Sequence, residues 1–286
     1  MLSAADLPRP TATYHTNTYE RLSCDHGFNG QGKTVFITGG AGGIGYHTAE
    51  AFAQANVARI AIIARSADAL DEAKKTLEGA YPQTQVLTYC ASITDTSKMT
   101  AIFHELGQVD VVVLNAAVAH RRATASEIDV SEIQDAFDIN TVAAFHIIST
   151  YLKTSMDLVD GKTVISVSAF AAYLGSPYRI GYGPSKAAAA QMIQQFAAEQ
   201  ANNDVRLFSY HPGSIYTPGV AQNIPKHMIA WDDDKLPAHF ARWLAGPQSS
   251  FLNGRFVWAN WDVDELVALE ARVEREPAFL TIGLIM

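Results

Sequence analysis

Thr38-Gly39-Gly40-Ala41-Gly42-Gly43-Ile44-Gly45 puts five glycines into eight residues, directly after the apolar run Val35-Phe36-Ile37. Glycine accepts positive φ and has no Cβ, so a turn made of it lets backbone N–H groups close on a ligand. Helical spacing follows at Ile44, Thr48, Ala49, Phe52 and Ala53, and a helix starting here aims its first amides and its dipole at the same point. Anion binding is the chemistry such a turn supports. Between a strand and a helix, the expected anion is a dinucleotide pyrophosphate, held by Gly39, Gly43, Ile44 and Gly45.

The next apolar run, Ile60 to Ala64, ends in Arg65-Ser66. An acidic residue at the end of this strand would accept hydrogen bonds from the ribose hydroxyls of NAD. Arg65 instead offers a guanidinium that can pair with a phosphate bidentately, and no carboxylate stands there to repel one. The expected cofactor is therefore NADP(H), with Arg65 and Ser66 at its 2′-phosphate.

A second constellation is Tyr182-Gly183-Pro184-Ser185-Lys186. Pro184 suits the first turn of a helix, where a spacing of four puts the phenol and the ammonium on one face. A cation beside a phenol stabilises the phenolate and lowers a pKa of about 10 toward neutrality, which a proton donor and acceptor needs.

These residues need elements to hold them. Apolar runs at Val35–Ile37, Ile60–Ala64, Gln85–Tyr89, Val109–Leu114, Thr163–Val167, Val205–Ser209 and Arg255–Trp258 read as strands. Between them, helices are expected near 67–79, 96–106, 131–151, 184–202 and 234–244, with a charged helix near 263–275. Continuously apolar strands alternating with helices describe an α/β fold. It is a doubly wound, Rossmann-type parallel sheet of about seven strands with helices on both faces, and its ligand crevice lies at the carboxyl ends of the strands. Residues 1–31 are polar and without period, so they read as an arm on the domain surface or partly disordered. Residues 32–286 read as one catalytic domain, with a substrate loop at about 218–236 and a C-terminal extension at about 260–286.

Composition narrows the class. With 286 residues, 48% apolar and 17% charged, the chain can bury a sizeable core. A net charge of −8 without clustered Lys and Arg argues against a nucleic-acid partner and for a small molecule. Cys24 and Cys90 fit no metal or C-x-x-C spacing, so no metal is expected and a reducing compartment is. No run approaches the roughly 18 apolar residues that cross a bilayer, and Asp6, Pro8, Arg9 and Pro10 stand where a signal peptide would be apolar. A cytoplasmic protein without a membrane partner is expected. Asp232-Asp233-Asp234 reads as a solvated turn and Arg121-Arg122 as a solvated loop, while His211 and Tyr216 fall near the crevice. The loop's Ile224, Pro225, Met228, Ile229 and Trp231 suit a largely apolar substrate.

The pattern T-G-x-x-x-G-x-G at Thr38 to Gly45, with Y-x-x-x-K at Tyr182 to Lys186, resembles the short-chain dehydrogenase/reductase family over roughly Gly32 to Thr217. The resemblance implies that Leu114-Asn115-Ala116-Ala117 supports the cofactor, although the family usually has glycine at Ala117. It implies that Ser92 and Ile93 lie near the adenine, with Ser92 where many members carry aspartate. Pro212, Ile215 and Thr217, in His211-Pro212-Gly213-Ser214-Ile215-Tyr216-Thr217, would lie beside the nicotinamide carboxamide. Asn140 would bend its helix and hold a water that links Lys186 to solvent, and Tyr182 and Lys186 would also contact the nicotinamide ribose. In many members a catalytic serine lies thirteen residues before the tyrosine, and that position is Ala169 here. Ser168 takes the role if the following loop is one residue longer than usual; otherwise Tyr182 acts without it.

By this resemblance the chain is a carbonyl reductase or alcohol dehydrogenase using NADP(H) on a small ketone or alcohol. Tyr182 is its general acid and base, and the assembly is a homodimer or homotetramer. The tail containing Trp258-Ala259-Asn260-Trp261 resembles fungal members, many of secondary metabolism. Two alternatives stay open: a module that binds cofactor without turnover, and a relative that catalyses a non-redox isomerisation, dehydration or cyclisation.

Overall fold

The computed structural model describes residues 7–24, 27–154, 158, 161–201, 203–222 and 224–283. Seven parallel strands form one sheet in the order β3-β2-β1-β4-β5-β6-β7. They are β1 (Thr34–Thr38), β2 (Arg59–Ala64), β3 (Gln85–Cys90), β4 (Val111–Leu114), β5 (Lys162–Val167), β6 (Val205–His211) and β7 (Phe256–Trp258). The helices are α1 (Glu20–Ser23), α2 (Gly43–Gln54), α3 (Ala67–Ala80), α4 (Thr96–Leu106), α5 (Val130–Phe137), α6 (Ala143–Lys153), α7 (Tyr182–Glu199), α8 (Pro218–Ala221), α9 (Lys235–Ala245), α10 (Val263–Val267) and α11 (Glu270–Arg275).

Strand alternation divides the core into two layers. Val35, Ile37, Ile60, Ile62, Ile165 and Phe208 face α2, α3 and α9, while Phe36, Ala61, Ile63, Val112, Val164 and Leu207 face α4, α6 and α7. Because both faces are covered, β1 and β4 are buried along their whole length. The chain reverses direction across the sheet between β1 and β4, and this switch point opens a crevice at their carboxyl ends.

Two helices differ from expectation. The stretch expected as one helix at 131–151 runs from α5 through a single π-helical turn, Asp138–Val142, into α6. Asn140 lies in that turn with its side chain directed inward to other elements, which accounts for the local widening. The charged helix expected at 263–275 is two helices: Leu269 N donates to Leu266 O at 2.9 Å, a tighter turn that ends α10 before α11 begins.

The polar N-terminal segment is held by specific contacts. Tyr14 bridges antiparallel to Trp261, and His15 and Asn260 exchange hydrogen bonds, His15 N to Asn260 O at 2.7 Å and Asn260 Nδ2 to His15 O at 2.8 Å. Leu22 of α1 is fully buried, and the Arg242 guanidinium of α9 donates to the carbonyls of Ser23 and Cys24. Low average hydrophobicity hid a few well-placed apolar and polar anchors.

Candidate active site

The glycine turn joins β1 to α2. Gly39 and Gly43 have φ of 68° and 53°, values that favour glycine. A Cβ on Gly45 would lie 2.2 Å from the Gly39 carbonyl oxygen and 2.6 Å from Asn115 Nδ2, so the turn closes only around glycine there. Thr38 fastens it to the end of β4: its Oγ1 accepts from Asn115 N at 2.9 Å and Ala116 N at 3.0 Å. Asn115 Nδ2 in turn donates to Thr38 O at 2.9 Å and Gly39 O at 3.3 Å. The Asn115 amide is thus spent on shaping the turn. Gly43 faces Thr217, with Thr217 Cγ2 3.3 Å from where its Cβ would be, which brings the segment after β6 onto the turn. Ile215 is buried beneath that segment, and Pro212 and Gly213 shape its start.

Arg65 emerges at the end of β2 with an exposed guanidinium that meets no partner among the described residues. Ser66 follows as the N-cap of α3, its hydroxyl accepting from Ala69 N at 3.3 Å. Ser92 pairs with Thr94 at 2.8 Å, hydroxyl to hydroxyl, within the turn after β3, and Ile93 points inward. Glycines with room for backbone approach, an open cation at β2 and a helix N-terminus between them fit a dinucleotide carrying an extra phosphate.

Thr38, Ile93, Leu114, Ala116, Asn140, Ser166 and Lys186 line one small cavity of about 10 Å³, room for about one water. Lys186, buried in α7, donates from Nζ to Val167 O at the end of β5 at 2.8 Å. Burial pulls its ammonium down to about 8. Asn140 accepts from Val118 N and donates to Val118 O and Ser185 Oγ, each at 2.9 Å, so its side chain is fully engaged and braces the β4 loop against α7.

Tyr182 opens α7, four residues before Lys186. Its phenol differs from expectation in direction: burial raises its pKa, and the charge that opposes this is Arg179, not Lys186. The Lys186 ammonium is engaged by the Val167 carbonyl instead.

Ser168 follows β5. Its backbone N–H extends the ladder to Tyr210 O at 2.7 Å, but its hydroxyl is shut off from solvent and meets no hydrogen-bond partner among the described residues. The next residue, Ala169, begins the 3-10 turn at Phe170–Ala172 and carries no donor on its side chain. His211 lies beyond, its Nδ1 accepting from Phe170 N at 3.3 Å and its ring 4.5 Å from Trp258, with burial holding it neutral down to about 3.

Sequence reading passed over several groups. Arg179 donates from Nη1 to His120 O at 2.9 Å, and His120 Nε2 accepts from Gly181 N at 2.8 Å, which joins the β4 loop to the start of α7. No spacing rule links these positions. The aspartates at 232–234, expected as a solvated turn, instead pin the substrate loop. Asp232 accepts from Ser214 N at 2.7 Å and Asn260 Nδ2 at 3.1 Å, Asp233 N donates to Thr16 O at 2.8 Å, and Asp234 meets His47 of α2 at 3.1 Å.

The family profile described as short chain dehydrogenase matches residues 33–227. The chain is 56% identical over 278 residues to "Short chain dehydrogenase/reductase AacuD" of Aspergillus aculeatus, covering 97% of each. It is 54% identical to "Short chain dehydrogenase/reductase nsrO" of Aspergillus novofumigatus, covering 98% of each. A short chain dehydrogenase/reductase of Claviceps purpurea is 49% identical over 98% of this chain and 96% of its own. Among solved structures, the Pseudomonas aeruginosa RhlG/NADP active-site complex superposes with a TM-score of 0.74 at 23% identity, covering 82% of this chain and 97% of that one. "ElxO with NADP Bound" superposes at 0.72 with 22% identity, covering 80% and 97%. At these identities the two structures show the fold.

Proposed function

This chain belongs to the short-chain dehydrogenase/reductase family, and from that premise we propose that it is an NADP(H)-dependent carbonyl reductase or alcohol dehydrogenase acting on a small organic ketone or alcohol. The observation that carries the reading is the single cavity in which Thr38 of the glycine turn, Ala116 after β4, Asn140 and Lys186 meet, with Tyr182 one helical turn from Lys186.

The dinucleotide, when bound, supplies or accepts hydride. Gly39, Gly43, Ile44 and Gly45 would hold its pyrophosphate, and Arg65 with Ser66 its 2′-phosphate. Ser92, Ile93, Asn115, Ala116, Pro212, Ile215 and Thr217 would line the remainder. Tyr182 serves as general acid and base. Burial keeps the phenol protonated, so the proton that a carbonyl oxygen takes up on reduction is in place on Tyr182. Lys186 is held ready by Val167 for the ribose, and Asn140 fixes α7 relative to β4 so that a water in the cavity can pass protons toward Lys186. Proton transfer rests on Tyr182 without a serine hydroxyl, a reading supported by the buried Ser168 Oγ, which has no partner among the described residues.

A cytoplasmic homodimer or homotetramer, built on the helices between β4 and β6, belongs to the same proposal. It is supported by Val142 and Phe145, exposed at 53% and 50% on that face. Placement in fungal secondary metabolism is supported by the fungal origin of the relatives.

The test is NADPH oxidation with a panel of ketones and aldehydes, abolished by Tyr182→Phe in a variant that still folds and binds NADPH. NADPH binding with every carbonyl left untouched would make the chain a binding module. Conversion of a substrate without change in NADPH absorbance would make it a non-redox enzyme.

A further inference from the structure

Arg179 acts on Tyr182 and has Arg122 close to it, and neither arginine meets a carboxylate among the described residues. Arg179 lies three residues upstream, in the same turn, its carbonyl accepting from Gly183 N at 3.1 Å. It is fixed from the other side by the bond from its Nη1 to His120 O, and a Cβ at Gly181 would come within 2.8 Å of the His120 ring, so the two loops are locked together. From the β4 loop, Arg122 extends over Tyr178 with its guanidinium 5.9 Å from the ring centroid. Arg122 stands close enough to Arg179 for its charge to act on it, and burial of Arg179 makes that repulsion stronger.

The contrast with the intervening residue is informative. Arg121 is neutralised by Glu132 at 3.1 Å, whereas neither Arg122 nor Arg179 has an acidic partner among the described residues. A half-buried Arg179 beside an exposed Arg122 of like charge is unfavourable by itself and becomes favourable when an anion sits between them. Around the pair, Tyr178 and Ile180 leave apolar surface exposed, at 51% and 47%. The Tyr178 backbone is held at φ 66°, a conformation uncommon for a bulky residue.

Building on the reductase reading, we propose that Arg179 and Arg122 form an anion subsite that receives a carboxylate or ionised hydroxyl of the substrate, next to the carbonyl that Tyr182 protonates. The substrate class is then an acidic carbonyl compound with an aromatic or apolar body, which lies against Tyr178 and Ile180. This sharpens the largely apolar substrate expected from the loop into an amphiphilic one. It also accounts for a site that works without a serine donor, because ionic anchoring beside the carbonyl orients the substrate.

The test is calorimetric titration of the NADP⁺-loaded protein with benzoate and, in parallel, benzyl alcohol. Benzoate is expected to bind at least tenfold more tightly than benzyl alcohol. Arg179→Gln and, separately, the exposed Arg122→Ala each weaken benzoate at least fivefold and leave benzyl alcohol unchanged, while Arg179→Lys retains most of the preference. Equal binding of the two probes by the parent chain, or an unchanged benzoate affinity in both charge-removing variants, overturns the proposal. Benzoate binding to the parent is read without turnover, so failure of the ketone panel to show any reduction sinks the reductase reading without altering this measurement.

Discussion

Lys186 Nζ donates to the Val167 carbonyl across 2.8 Å and so ties the second turn of α7 to the carboxyl end of β5. The bond holds the ammonium in a buried position beside the glycine turn, at the cost of desolvating it. Its stability consequence has a definite sign. The folded pKa of about 8 lies below the ordinary 10.5, so between those values the unfolded chain binds more protons and stability rises with pH. Lys186→Met should remove that rise. Urea midpoints of the cofactor-free protein between pH 8 and 10 should show the parent gaining at most about 1.4 kcal/mol per pH unit relative to the variant. Parallel curves for the two proteins would refute the assignment.

The proposed preference for NADP(H) turns on Arg65. Its exposed guanidinium at the end of β2 has no partner among the described residues, and a charge-assisted bond to phosphate contributes about 1.5–3 kcal/mol. Arg65→Ala should raise the Kd for NADPH at least tenfold and leave that for NADH within twofold, read by fluorescence titration. Equal weakening of both would remove the NADP preference.

Ser168 and Ala169 form a paired experiment. Ser168 Oγ is buried without a partner, so Ser168→Ala should leave kcat within about threefold and be neutral to slightly stabilising, since a buried hydroxyl with no hydrogen bond costs free energy. A loss of 100-fold in kcat would show that the hydroxyl reaches the substrate after all. Ala169→Ser, at the position where the family usually carries its serine, is the informative gain-of-function partner.

Leu22 measures how firmly the N-terminal segment is docked. It is fully buried against the layer formed by α2 and α9. Leu22→Ala should cost about 2–5 kcal/mol by loss of transfer free energy plus the cavity left behind. A change of the denaturation midpoint equivalent to less than 1 kcal/mol would mean that the segment detaches without consequence (about the cost of a tolerated surface change).

Much of this was legible in local pattern. The glycine turn, the strand before it and the helix after it declare themselves within about twenty residues, because positive φ and apolar periodicity are local demands. Tyr182 and Lys186 share a helix face for the same reason. The π turn at Asn140 was not legible, since it depends on what the side chain meets across the fold, namely Val118 and Ser185. The contacts of the segment around Tyr14 to Leu22, expected as a surface arm or partly disordered, and of the aspartates at 232–234, expected as a solvated turn, were not legible because polar composition does not reveal which surface a segment meets.

The sequence by itself determined the order of strands and helices, the doubly wound sheet, the glycine turn between strand and helix and the spacing that puts Tyr182 and Lys186 on one helix face. Those follow from period and from backbone conformations available only to glycine. Only the tertiary structure decided which way charges act on those residues. It buried the Ser168 hydroxyl and bound Lys186 to the Val167 carbonyl. It also brought Arg179, from one loop, and Arg122, from another, close enough for their charges to interact. The physical reason is that burial and Coulombic fields depend on distance through space, and residues 57 apart in the chain have no spacing rule that predicts it.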